Sequence, residues 1–213
     1  MAETAFPAEY FARRDESDDA LFYTDPRKVV HIDDSAINTL NTRFAALLPP
    51  GGTYLDLMSS WRSHLPASLS PARVVGLGMN AEEMADNPQL DDHVVQNLNQ
   101  NQALPFEDAA FDAAVCTVSV QYLTQPAAVF AEVNRVIKPG GVFVVSFSNR
   151  CFPTKAVAVW LSTTDQQHLA LVTQYFEAAG NWANITAETA QAGRSGLFGG
   201  ADPLYVVWAR KAS

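Results

Sequence analysis

Short apolar runs alternate with longer amphipathic stretches along the chain from residue 53 onward. The runs are nearly all apolar, which is typical of strands that helices cover on both faces of a largely parallel sheet. A helix is predicted at 164–179, where apolar residues share one face and Gly180 provides a stop. The alternation predicts an α/β fold. Its predicted strands are 53–57, 73–77, 93–96, 112–117, 142–147, 182–189 and 203–210.

The first 52 residues differ in composition from the rest of the chain. Aromatic residues are interleaved there with the acidic run 15–19, and Ile37, Leu40 and Phe44 follow at helical spacing. We interpret residues 1–52 as an N-terminal helical cap and residues 53–213 as the α/β core of the same domain. A chain of 213 residues with 48% hydrophobic content suits one well-buried core.

The net charge of −9 indicates which partners do not suit this chain. Acidic surfaces repel polyanions, and the sequence has no basic stripe, so neither nucleic acid nor an anionic membrane is expected as a partner. No segment approaches the roughly 20 apolar residues that cross a bilayer, and the first residues lack the pattern of a secretory signal. A cytoplasmic location is therefore expected. Cys116 and Cys151 have no paired spacing, so neither a metal site nor a disulfide is predicted.

Family motifs occur in order in the middle of the chain. They are Leu104-Pro105-Phe106 followed by Phe111-Asp112, then Tyr122-Leu123, then Lys138-Pro139-Gly140-Gly141. In this order and spacing the chain resembles the type 11 group of the class I, S-adenosylmethionine-dependent methyltransferases. The resemblance implies a three-layer Rossmann-like fold with a seven-stranded sheet in the order 3-2-1-4-5-7-6, strand 7 antiparallel. It also implies methyl transfer to a small molecule, with S-adenosylmethionine bound beyond the carboxyl ends of the strands.

The loop after the first predicted strand departs from the pattern of that family. Asp56 matches the family's acidic position, but Met58, Ser60 and Arg62 stand where the family has glycines. Those glycines let the backbone approach the methionine part of the cofactor. Gly78 stands at the position of the carboxylate that grips the ribose hydroxyls. Losing such contacts weakens binding by about 1.5–3 kcal/mol per bond unless another group replaces them.

Two questions about the neighbouring residues stay open. The first is whether Asn80 or Glu82 takes the place of the missing carboxylate and binds the ribose hydroxyls, or whether Asn80 only caps the next helix. Trp61 and Arg62 begin a helix and present an aromatic wall and a cation to an anionic ligand. Alternatively, Trp61 fills the space of the cofactor, and Arg62 faces solvent or pairs with Asp56.

The remaining cofactor contacts that the resemblance implies are Gln102, Leu104 and Ser119. The segment 97–102 consists of amide residues apart from Leu98. Amide side chains can pair with the edge of an adenine ring, so this segment is compatible with the cofactor.

The candidates for chemistry lie mainly in the first 52 residues. Tyr23 and His31 are the catalytic candidates, because a hydroxyl and a near-neutral base stand close together in the sequence. The predicted substrate contacts are Arg27, Tyr122, Asn149 and Arg150. The alternative is that these polar residues only dock one segment on another.

Three functions are compatible with these residues. The leading hypothesis is a methyltransferase-like protein that methylates a small molecule with a non-standard cofactor loop, because the motifs continue from Leu104 to Phe147. The others are a binding or regulatory protein that kept the fold, and an enzyme that holds another ligand in the same crevice. Neither the methyl acceptor nor the oligomeric state follows from the sequence.

Overall fold

One seven-stranded sheet runs through the protein, in a computed structural model that describes residues 6–194 and 200–213. Its strands are β1 (Thr53–Leu57), β2 (Arg73–Gly78), β3 (Asp92–Val95), β4 (Phe111–Thr117), β5 (Ile137–Phe147), β6 (Trp182–Gln191) and β7 (Leu204–Lys211). Their order is β3-β2-β1-β4-β5-β7-β6. β1 to β5 pair in parallel, and β7 is antiparallel to β5 and β6. The predicted Rossmann-like topology is confirmed.

The strands and the late helix lie where the sequence pattern predicts them. β1 has its predicted bounds, and most other strands begin and end within two residues of the prediction. β5 begins earlier, at Ile137, because this residue already pairs with Phe111 ahead of a bulge. The α-helices are α1 (Asp19–Phe22), α2 (Asp34–Leu47), α3 (Ala81–Ala85), α4 (Pro126–Val136), α5 (Ala158–Leu161) and α6 (Asp165–Ala179). α6 begins with a capping box at Thr164 and ends at Gly180.

Apolar layers cover both faces of the sheet. On one face, Phe130 of α4, Phe176 of α6 and Phe143 of β5 pack together with ring-centre distances of 4.7, 5.0 and 5.5 Å. On the other face, Leu40 and Phe44 of α2 are fully buried. Each side chain of this kind stabilises the fold by about 1.5–3 kcal/mol when it is buried. The rigid sheet fixes the loops at its carboxyl edge.

The segment ahead of α2, residues 6–33, is called the leader below. Its helical content is the 3₁₀ helix Ala8–Phe11 and the short α1. Within the described ranges, no helix is long and apolar enough to cross a membrane. The same residues contain no cluster of His, Cys, Asp and Glu that could hold a metal ion.

The connection from β1 to β2 is unusual for a parallel pair. A crossover between parallel strands usually contains an α-helix. Here residues 58–72 contain only the 3₁₀ helix Ala67–Leu69. The chain therefore leaves β1 without the helix that normally follows the first strand of a Rossmann-like sheet.

Candidate functional site

A cavity of about 530 Å³ lies beyond the carboxyl ends of the parallel strands. Its floor includes Asp56 of β1, Gly78 of β2 and Thr117 of β4. The leader and the loop after β5 complete its walls. A crevice at this edge of an open α/β sheet is where ligands bind in such folds.

The loop after β1 lies flat across the end of β2. Met58 has a φ of 58°, a left-handed backbone conformation that residues other than glycine rarely adopt. The backbone N–H of Ser59 then donates to the carbonyl of Leu77 at 2.8 Å. The loop thus keeps a glycine-like turn at Met58 but continues along β2.

This path fills the place where a side chain at position 78 would lie. A Cβ atom on Gly78 would be only 2.2 Å from the carbonyl oxygen of Ser59. Backbone cannot shift as easily as the end of a flexible side chain, so a residue larger than glycine fits there only if the loop moves, at a cost in stability. The missing ribose carboxylate is therefore a steric consequence of the loop.

Asp56 holds this loop. Its carboxylate accepts hydrogen bonds from the hydroxyls of Ser59 and Ser63, each at 2.6 Å. Asn87 supports the loop from α3's side, donating to the Ser63 hydroxyl and to the carbonyl of Ser60, both at 2.9 Å. Burial raises the pKa of Asp56 to about 6, although both serines act in the opposite direction.

The expectation that Trp61 and Arg62 begin a helix is wrong. His64 has a φ of 55°, which interrupts a right-handed helix, and Asp56 holds Ser63 in the loop. Trp61 donates its indole N–H to the carbonyl of Val29 at 2.9 Å, so the ring docks the leader.

Arg62 does not pair with Asp56. Its guanidinium stacks on the Trp61 ring at 3.8 Å and donates to the carbonyl of Trp61 at 2.7 Å. Arg62 is exposed, as one of the two interpretations predicts.

Asn80 is a helix cap. Its side-chain oxygen accepts from the backbone N–H of Glu83 at 3.0 Å, and its amide nitrogen donates to the carbonyl of Tyr23 at 2.9 Å. Both polar ends of the Asn80 side chain therefore form hydrogen bonds within the protein. Glu82 forms an exposed ion pair with Lys28 of the leader at 2.7 Å.

Amide side chains of the segment 97–102 also form hydrogen bonds within the protein. Asn99 donates to Asp19 at 2.9 Å and to the carbonyl of Tyr122 at 3.0 Å. Gln102 donates to the carbonyl of Leu98 at 2.8 Å. Gln102 and Leu104 are not among the residues that line the cavity, whereas Ser119 is.

Tyr23, Arg27 and His31 all line the cavity, as their spacing in the sequence indicates. Burial lowers the pKa of His31, so its imidazole is neutral near pH 7. Burial raises the pKa of Tyr23 well above its ordinary value, so its hydroxyl keeps its proton.

The guanidinium of Arg27 lies over the ring of Phe22 at 3.9 Å from its centre. The Nη1 atom of Arg27 is buried and has no hydrogen-bond partner in the described structure. A buried donor that stays unsatisfied costs about 1–3 kcal/mol.

The predicted contacts after β4 and β5 also reach the cavity. Asn149, Arg150 and Tyr122 line it. Arg150 is already paired, with its Nε 2.8 Å from Asp202. The Tyr122 hydroxyl accepts from the backbone N–H of Phe152 at 2.9 Å, and burial raises its pKa to about 12.

Residues 60–145 match the model of a family described as "Methyltransferase domain", type 11. Residues 60–145 therefore match a type 11 methyltransferase domain, within a sheet of the class I strand order. Among solved structures, a putative methyltransferase from Haloferax volcanii in complex with the Trm112 activator shares 15% identity at a TM-score of 0.60, with 84% of this chain and 91% of that one covered. The [4+2]-cyclase SpnF shares 15% identity at a TM-score of 0.56, with 89% and 90% covered.

A curated relative matches over a shorter stretch of the chain. The biotin biosynthesis bifunctional protein BioHC of Teredinibacter turnerae is 31% identical over 71 residues, which are 33% of this chain. The match spans only 12% of the length of that protein. The likenesses to the two solved structures show the fold.

The methyltransferase domain implies S-adenosylmethionine, but the residues present do not fit it in the manner of the family. The ribose position at Gly78 is closed by Ser59. The loop after β1 does not lead into a helix whose N–H groups could face the methionine carboxylate. Both polar ends of the Asn80 side chain already form hydrogen bonds within the protein.

Sequence reasoning missed two residues of this crevice, Glu83 and Val118. Glu83 is buried and accepts from the backbone N–H of Arg27 and from the Ser60 hydroxyl, each at 2.6 Å. Val118 lines the crevice with a φ of 46°, which strains a β-branched residue. Glu83 is one of two adjacent acids on a helix, and only tertiary contacts distinguish them. The conformation of Val118 has no sequence signal.

Proposed function

We propose that this protein is an enzyme that acts on a small molecule in the crevice and does not use the family's mode of holding S-adenosylmethionine. One observation carries the proposal: the carbonyl of Ser59 occupies the side-chain position at Gly78, while a cavity of about 530 Å³ remains next to it. This volume lies in the range of small-molecule sites.

The cavity contains groups that suit proton transfer. Neutral His31 is able to accept a proton near pH 7. Tyr23 keeps its proton and is able to donate a hydrogen bond to a developing negative charge. We assign His31 the role of general base and Tyr23 that of donor, as the sequence predicts.

Methyl transfer is not the only reaction known on this fold. SpnF is described as a [4+2]-cyclase, and it has the same overall fold as this chain at a TM-score of 0.56. Because fold does not determine function, the chemistry must be assigned from the crevice itself.

Calorimetry with S-adenosylmethionine and S-adenosylhomocysteine, up to millimolar concentration, tests the first part of the proposal. We expect no binding heat and no shift of the melting temperature. Native mass spectrometry of the purified protein then looks for a retained small molecule. Saturable binding of either sulfur compound at micromolar concentration contradicts the proposal.

A His31→Gln variant tests the catalytic assignment once a substrate is known. We expect kcat to fall by about 10²–10⁴-fold, with loss of the pH dependence near the pKa of His31. A His168→Gln variant is the control, because His168 stacks on Trp160 at 3.9 Å and is not among the cavity residues. Equal losses in both variants would contradict the role of His31.

The second candidate is S-adenosylmethionine-dependent methylation of a small molecule. It is favoured by the domain match over residues 60–145. In this case the calorimetric titration shows binding, and transfer of a labelled methyl group to an acceptor identifies the reaction.

A further inference from the structure

One wall of the crevice combines a guanidinium that lacks a carboxylate partner with a cluster of aromatic rings. From this wall we infer that the small molecule is an anion with a planar aromatic body. The inference rests on the proposed function and adds the chemical class of the ligand.

Arg27 supplies the unpaired positive charge. Its guanidinium makes no ion pair with any residue of the described ranges. Glu83 binds the backbone N–H of Arg27 and the hydroxyl of Ser60 instead. A guanidinium presents a planar fork of donors that matches a carboxylate or phosphate.

The other cations that line the crevice are engaged elsewhere. Three have carboxylate partners: Arg13 with Asp19 at 2.6 Å, Lys155 with Asp15 at 3.1 Å, and Arg150 with Asp202 at 2.8 Å. Arg62 is exposed and donates to backbone carbonyls. Arg27 is therefore the cation on this wall that an anionic ligand would neutralise.

Phe152 is the centre of the aromatic cluster. Its ring lies 5.5 Å from Phe22, 5.6 Å from His31 and 6.1 Å from Tyr122. The Arg27 guanidinium is 5.4 Å from the centre of the Phe152 ring. Phe152, His31 and Tyr122 line the cavity, and none of them is fully exposed.

Flat rings and a flat guanidinium favour a flat ligand. Aromatic pairs gain energy in offset-stacked and edge-to-face arrangements beyond what burial alone supplies. A guanidinium also stacks on aromatic faces. A saturated ring of the same size and charge lacks these contacts, so the wall discriminates against it.

Three probes of one size separate the two parts of the inference. 2-Naphthoate is anionic and aromatic, its decahydro analogue is anionic and saturated, and 2-naphthamide is aromatic and neutral. We expect 2-naphthoate to bind to the unmodified protein at least about tenfold more tightly than either of the others, by calorimetry or ligand-observed NMR. Equal binding of the saturated anion overturns the aromatic part, and equal binding of the amide overturns the anionic part. Absence of binding by all three overturns both.

Variants assign the contacts. Arg27→Ala should weaken 2-naphthoate binding about tenfold or more and 2-naphthamide binding much less, because the amide loses only the stacking contact, and Arg27→Lys should restore part of the loss because it keeps the charge. Arg73→Ala is the matched control, since Arg73 is exposed at the start of β2 and pairs with Asp92. Circular dichroism confirms that each variant is folded. An equal effect of Arg73→Ala, or none of Arg27→Ala, contradicts the assignment.

These results are independent of the test of the proposed function. Binding of S-adenosylmethionine would contradict the proposed function and leave the preference for an aromatic anion to be decided by the probes. Loss of that preference would leave the absence of S-adenosylmethionine binding intact.

Discussion

Single residues at the carboxyl edge of the sheet decide what the crevice can hold. Gly78 is required because the Ser59 carbonyl lies where its side chain would be. Asp56 matches the acidic position of the family, and its Oδ2 atom accepts from the hydroxyls of Ser59 and Ser63. The same residue types that a family uses for a cofactor here stabilise a loop.

Gly78→Ala should destabilise the protein by about 1–3 kcal/mol, because its Cβ would overlap a backbone carbonyl. Urea unfolding measures this loss. Gly193→Ala is the control, because the nearest atom to its Cβ would be 3.2 Å away on the side chain of Pro203. Similar losses in both variants would show that the contact with Ser59 is not decisive.

Asp56→Asn should change how stability depends on pH. The folded-state pKa of Asp56, about 6, lies above the ordinary 3.8. The protonated carboxyl is therefore favoured in the folded state, and its contribution is complete below about pH 4 and lost as the pH rises through about 6. Two pKa units correspond to about 3 kcal/mol.

The measurement is the free energy of unfolding of both proteins from pH 4 to 7.5. As the pH rises, the free energy of unfolding of Asp56→Asn should increase relative to that of the unmodified protein. His31 and His64 also have pKa values lowered by burial and act in both proteins alike, so the difference isolates Asp56. Parallel curves would contradict the assignment.

At the scale of elements, the crevice depends on a loop in place of a helix. Residues 58–66 are irregular, and they contact both β2 and the leader. In a crossover helix, the backbone hydrogen bonds would have formed within the helix itself. The loop instead depends on Asp56, Asn87 and Trp61 for its shape.

Trp61→Phe should loosen the leader around Val29. It removes the indole N–H that donates to the Val29 carbonyl and keeps an aromatic ring. We expect faster amide hydrogen exchange in residues 24–31 and a loss of about 0.5–1.5 kcal/mol in stability. Trp182→Phe is the control, since the Trp182 indole N–H has no partner in the described structure. Unchanged exchange near Val29 would show that Trp61 does not hold the leader.

The strands were predictable from the sequence, and the loop was not. Apolar runs report burial directly, so β1 to β5 and their order follow from periodicity and the family motifs. The absence of glycine at Met58 predicts a changed loop, but not that Met58 keeps a left-handed turn. The contact of Ser59 with Gly78 joins the loop after β1 to the end of β2, and no local sequence pattern contains it.

At the scale of the whole molecule, a buried cluster of ion pairs links the leader to the loop after β5. Lys155 is 1% exposed, with its ammonium 3.3 Å from Asp19, and Arg13 contacts the same carboxylate at 2.6 Å. Backbone hydrogen bonds accompany the cluster, from Asp15 to Thr154 at 2.9 Å and from Ala158 to Ala12 at 2.8 Å. Leader and core therefore form one body around the crevice.

Lys155→Met should destabilise this body by about 3–5 kcal/mol, because it leaves buried Asp19 with one cation fewer. Thermal and urea unfolding measure the loss. Lys28→Met is the control, since Lys28 is a solvent-accessible partner of Glu82 and Asp86 and should matter little. A small effect of Lys155→Met would show that the cluster does not fasten the leader.

The wall formed by Arg27 and Phe152 lies outside residues 60–145, the stretch that the family model recognises. The residues of the proposed ligand wall and the stretch that matches the family therefore lie in different parts of the chain. Mutations in the leader and in the loop after β5 can therefore change which molecule binds without changing the sheet. Two descendants of one ancestor can thus look alike over the matched stretch and bind unrelated compounds.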